Sequence, residues 1–151
     1  GGTGIADGIL LDGKIINLNT DKSPKKSWEL ILPQGASVES YLSPGGILKN
    51  HNLKYKAKIT SLKELASSQY FEETLSKAIT AFDYLLKDRL KFFQRQKKEI
   101  EKIVIGQRLG QFLNEQPKSI KHLFQKDSIA PVEFSFQREI AALGAAWKGS
   151  C

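Results

Sequence analysis

The sequence predicts an α/β fold on three observations. The turn pair Asp12-Gly13 sits between two apolar segments, the β-branched run Ile103-Val104-Ile105 ends on Gly106, and one long stretch carries apolar residues every three or four positions. The turn pair signals a β-hairpin, because both central positions of a two-residue loop tolerate positive φ. The β-branched run has the profile of a buried strand entering a turn. The periodic stretch places Phe71, Leu75, Ala78, Phe82, Leu85 and Leu86 on one face of a helix running from about 69 to 98. Strands alternating with helices, with no internal repeat and no low-complexity tract, make a single α/β domain.

The elements follow in order. Residues 3–10 and 14–18 form the hairpin, and the polar stretch from Asn17 to Lys26 is a loop. Trp28 to Leu32 is a short apolar strand closed by Pro33-Gln34-Gly35. A short helix is expected from Ala36 to Ser43, stopped by Pro44-Gly45-Gly46, a helix breaker followed by glycines suited to a C-cap. Two short helical pieces, around 46–51 and 61–67, precede the long helix. After the strand ending at Ile105 come a helix around 109–114 and another opened by Pro117, a residue suited to a first helical turn. Val132 to Phe136 alternates as a last strand, and Gln137 to Trp147 is an Ala-rich helix with a small-residue surface at Leu143-Gly144-Ala145-Ala146.

Composition narrows the function classes. A content of 40% hydrophobic and 26% charged residues is that of an ordinary globular domain, and no apolar run is long enough to span a membrane. With no signal-peptide pattern at its start, the chain is expected to be cytoplasmic. Cys151 is the one cysteine, so no internal disulfide and no zinc site is expected. The net charge of +7 invites a polyanionic partner, but much of the excess (Lys87, Arg89, Lys91, Arg95, Lys97 and Lys98) falls on the long helix, where charge ordinarily marks a solvated face. Nucleic-acid binding is therefore the weaker reading.

Two glycine segments are candidates for ligand chemistry. Gly2-Thr3-Gly4 is neither a dinucleotide fingerprint nor a P-loop, because Asp7 stands where the fingerprint's third glycine would be and a strand, not a helix, follows. It suits a strand-turn-strand phosphate grip, with amides and the Thr3 hydroxyl as donors, as well as a plain glycine-rich entry to a hairpin. Gly106-Gln107-Arg108-Leu109-Gly110 joins a strand to a helix and presents amides at the strand's carboxyl end, as an ordinary strand-to-helix turn also would. Among the carboxylates near glycine turns, Asp12 is a turn former and Asp7 faces solvent, whereas Glu39 precedes the Pro44-Gly45-Gly46 loop. His51 and His122 have no ligand or triad partner at suitable spacing and are expected on the surface.

Four segments, taken in order, resemble the C-terminal half of the ROK family (repressors, open reading frames, sugar kinases). Gly2-Thr3-Gly4-Ile5 through Gly8-Ile9 to Asp12-Gly13-Lys14 resembles its phosphate-binding hairpin, and Ala36 to Ser43 followed by Gly45-Gly46-Ile47 resembles its CLEAY segment. Ile103-Val104-Ile105-Gly106 with Leu109-Gly110 resembles its adenosine turn, and Ala141-Ala142-Leu143-Gly144-Ala145-Ala146 its closing helix. The resemblance implies one lobe of an actin-like ATPase (ribonuclease-H-like) fold, with an N-terminal hairpin and a short central sheet. It implies ATP with Mg²⁺ as cofactor and a sugar as substrate. Gly2, Thr3 and Gly4 would line the phosphates, Gly106, Gln107 and Gly110 the adenosine, and Glu39 would contact the sugar.

The departures are specific. The family's catalytic Asp lies upstream of the phosphate hairpin, where this chain begins, so a separate N-terminal lobe or partner chain is expected and the chain is not catalytic alone. The family's zinc-associated ExGH element has no counterpart between Lys14 and Ala36, and Gln107 and Arg108 replace two glycines of the adenosine turn. A non-catalytic structural or regulatory descendant of the family is the alternative, and homo-oligomerisation is left open.

Overall fold

The computed structural model describes residues 9–11, 14–16 and 24–135 of the chain. They form a mixed helix and strand structure in which one long helix supplies more of the core than any other element. The expected tail helix from Gln137 lies outside the described residues.

Strands β1 (Leu10–Leu11) and β2 (Lys14–Ile15) pair antiparallel with Leu11 opposite Lys14, the register of a two-residue connection. The Ile16 amide donates to the Ile9 carbonyl at 2.9 Å and extends the pairing. Ile9 is buried against Phe92 and Phe93, with Ile16 and Ile100 packed around them, so this small cluster seats the hairpin.

The expected strand from Trp28 to Leu32 is not a regular strand. Residues 27–29 form a turn, and Ile31 makes one isolated bridge to Ser37. Leu30 and Leu32 point inward while Trp28 and Ile31 are exposed, so the apolar alternation is that of an extended arm. Its partner segment allows no longer ladder, because Ser37 already caps the next helix. Pro33 occupies the first central position of the turn at the arm's tip, where the Gly35 amide donates to the Leu32 carbonyl at 2.8 Å.

Helix α1 (Val38–Leu42) is capped by Ser37, whose hydroxyl accepts from the Ser40 amide. Helix α2 (Pro44–Tyr55) follows without a break in the chain. Ser43 ends α1 and caps α2, accepting from the Gly46 amide at 3.0 Å. Pro44 therefore starts a helix instead of stopping one, since its missing N–H is no loss in a first turn. Gly45 and Gly46 lie inside α2, which is one helix of twelve residues and not a short piece over 46–51. A Cβ on Gly46 would stand 2.2 Å from the Ser40 carbonyl oxygen, so glycine here lets α2 turn tightly off α1.

Helix α3 (Leu62–Ala66) is capped by Ser61. Helix α4 (Phe71–Arg95) extends about 37 Å at 1.5 Å per residue. The stripe of Phe71, Leu75, Ala78, Phe82 and Leu86 is buried as its spacing predicts. The helix ends in a Schellman motif: the Lys98 amide donates to the Phe93 carbonyl, the Lys97 amide to Gln94, and Lys97 takes φ 58°.

Strand β3 (Ile103–Ile105) leads through α5 (Gln107–Asn114) and α6 (Lys118–Gln125) to β4 (Val132–Phe134), which pairs parallel to β3. Ile103 stands opposite Val132 and Ile105 opposite Phe134, and Lys102 forms an ion pair with Glu133. Among the described residues this parallel sheet has two strands. Phe82 and Phe124 meet edge to face at 5.6 Å, and Phe71 meets Phe112 at 5.9 Å, so α6 and α5 both seat on α4. No described helix is long and apolar enough to cross a membrane.

Candidate functional site

The β3–α5 turn lies at the carboxyl ends of both parallel strands, the edge of an α/β sheet where ligands bind. Gly106 is the N-cap of α5 in extended backbone, and no side chain caps the helix. Its first-turn amides therefore face the turn without a side-chain acceptor, and the helix dipole adds positive potential there. Gln107 has φ 56°, a left-handed conformation that costs a residue with a Cβ about 1–2 kcal/mol. Its side chain is half-buried, whereas Arg108 is exposed.

Gly110 is held there by a different constraint. A Cβ at this position would stand 2.2 Å from the Ile105 carbonyl oxygen and 2.7 Å from that of Ser135. Helix α5 thus lies directly on the backbone at the ends of β3 and β4, and the Ser135 amide donates to that same Ile105 carbonyl at 2.9 Å. The three residues expected at an adenosine, Gly106, Gln107 and Gly110, form one compact turn.

Glu39 sits in the first turn of α1, half-buried, where a carboxylate interacts favourably with the helix dipole. Its amide donates to the carbonyl of buried Ser27 at 3.0 Å, which fixes the start of α1 on the 27–29 turn. Helix α1 packs on α4 and α2, and α5 on β3, β4, α6 and, through Phe112 against Phe71, on α4, so α4 is a shared support for the helices that carry Glu39 and the β3–α5 turn. Gly2, Thr3 and Gly4 lie outside the described residues. Among the described residues no group of three or more His, Cys, Asp or Glu is placed to hold a metal ion.

One expectation is overturned. His51 is not a surface residue: it is 3% exposed and faces α4, where its Nδ1 lies 2.8 Å from Thr74 Oγ1. Burial lowers its pKa below the usual histidine value. The sequence carried a signal for this, since Ile47 and His51 are four residues apart on one face of α2 and both are buried. His122, by contrast, is exposed as expected.

Around His51 the polar groups form a second cluster. Lys54 donates to Glu73 at 2.6 Å, which raises the lysine's pKa and lowers the glutamate's. Tyr55 lies 4.9 Å from the imidazole and stacks on Tyr70 at 4.0 Å. Its buried hydroxyl has no aligned hydrogen-bond partner, although Lys54 and Glu73 both act on it, and burial raises its pKa. Comparison of the chain with protein-family models, with curated proteins and with solved structures found no match.

Proposed function

We propose that this chain is the nucleotide-binding lobe of a ROK-like, actin-type sugar kinase, with adenosine at the β3–α5 turn and phosphates at Gly2-Thr3-Gly4. The observation that carries this reading is the backbone of that turn. Gln107 adopts a left-handed conformation where the ROK motif has glycine, and Gly110, which the motif shares, has no room for a side chain. A turn of this shape at the carboxyl ends of parallel strands, opening an uncapped helix, suits a nucleotide.

On this reading Glu39 accepts hydrogen bonds from a sugar hydroxyl, and Mg²⁺ accompanies ATP as a charge-neutralising partner of the phosphates. The aspartate that would take the proton from the attacking hydroxyl belongs to a second lobe or a partner chain, so no catalytic residue is assigned here. A cytoplasmic setting fits such a kinase.

Titration with Mg-ATP, followed by calorimetry and by Trp28 and Trp147 fluorescence, tests the reading. Saturable binding is expected, and Gln107→Gly tightens it by removing a half-buried side chain from the turn. A silent titration of both proteins refutes the nucleotide site. It would favour a non-catalytic ROK-like domain, the reading to which the Gln107 and Arg108 replacements already point.

A further inference from the structure

The candidate site makes no use of the buried imidazole between α2 and α4. We propose that His51 is a proton-operated latch, whose protonation in mildly acidic medium releases the α1–α2 pair from the N-terminal half of α4.

The geometry sets the sign of the effect. The imidazole lines one wall of a small, partly open cleft between α2 and α4. Its ionisable and charged neighbours are Tyr41 on α1, Lys54 and Tyr55 on α2, and Glu73 and Lys77 on α4; α3, also packed on α2, contributes no lining side chain. Two lysines thus line the cleft with one carboxylate, and that carboxylate is already engaged by Lys54. Tyr55 offers an imidazolium little more, because Lys54 Nζ already stands 5.3 Å from the centroid of its ring. A proton on His51 therefore puts a charge with no carboxylate of its own into a poorly solvated seam, where the hydrogen-bond partner is the neutral Thr74 hydroxyl.

The consequence is carried along the chain by backbone contacts. Asn50, next to His51, donates from Nδ2 to the Ser40 carbonyl at 3.0 Å, and Gly46 packs on that same carbonyl. Helices α1 and α2 are thereby tied together, and a change at the α2–α4 seam reaches the turn that bears Glu39. The folded chain holds His51 neutral more strongly than the unfolded chain does, so the unfolded state binds more protons below the ordinary histidine value of 6.5. Stability of the seam is fully present above that value and falls as the pH drops through it toward the lower folded value.

The sequence holds two histidines, which makes the test clean. In the full chain carrying His122→Gln, the remaining imidazole is followed by NMR and the backbone by hydrogen exchange, corrected for intrinsic rates, between pH 7 and 5. Protection of α1 and α2 amides is expected to fall severalfold, while α5 and α6 change less than twofold. Adding His51→Gln should abolish the difference. Protection that does not change with pH, or changes equally without His51, overturns the latch. If the His51 variant fails to fold, a His51 imidazole in the His122→Gln protein that titrates at or above the ordinary histidine value overturns it instead. The latch does not rest on the kinase reading, so a silent Mg-ATP titration leaves it standing.

Discussion

At the scale of single residues, the β3–α5 turn shows two constraints that act in opposite directions. Gln107 is strained by its own backbone, having a Cβ where φ is 56°. Gln107→Gly should raise the unfolding free energy by about 1 kcal/mol, read from the urea midpoint at unchanged slope. Gly110 is constrained by its neighbours, since the atom it lacks would overlap the Ile105 carbonyl at 2.2 Å. That overlap is with backbone and no rotamer relieves it, so Gly110→Ala should destabilise by about 3 kcal/mol and disturb β4 as well. A Gly110→Ala protein of native stability would show that α5 does not sit on the strand ends.

At the scale of elements, the joint between α1 and α2 concentrates much of the local order. Ser43 donates its amide to the Glu39 carbonyl at the end of α1 and accepts from Gly46 at the start of α2, and it is buried. Ser43→Ala keeps the first bond and loses the second, so it should cost about 1 kcal/mol, and more of its effect should appear in exchange of α2 than of α1. An equal loss across both helices would contradict the assignment of Ser43 as the α2 cap. Long periodic elements were legible in the sequence: the α4 stripe from Phe71 to Leu86 and the Ile103–Ile105 strand were both found as expected. Pro44 was not, because one residue stops a helix behind it and starts one ahead of it, and the choice depends on the Ser43 hydroxyl before it.

At the scale of the whole molecule, α4 is the spine on which separate pieces are mounted. Its first half carries α1 and α2, its middle carries α6, and its last turns carry the hairpin through Phe92, Phe93 and Ile9. Among the described residues, this small second cluster is what anchors the hairpin. Phe93→Ala should cost about 3–5 kcal/mol, and exchange of Ile9 to Ile16 should rise before that of α5 or α6. Simultaneous loss of protection everywhere would mean that the two clusters unfold as one. If Gly2-Thr3-Gly4 holds phosphates, the same substitution weakens Mg-ATP binding, because the hairpin follows directly from that segment.

The sequence by itself determined the mixed helix and strand class, the extent of α4, both parallel strands and the glycines of the β3–α5 turn. Each follows from periodicity, β-branching or turn chemistry, which act over a few neighbouring residues. Tertiary structure alone decided that His51 is buried against Thr74, that Trp28 to Leu32 forms one bridge and not a strand, and that Gly110 is required by the Ser135 carbonyl as well as that of Ile105. Burial and strand pairing need a partner surface, and α4 and the ends of β3 and β4 supply those surfaces from positions far along the chain.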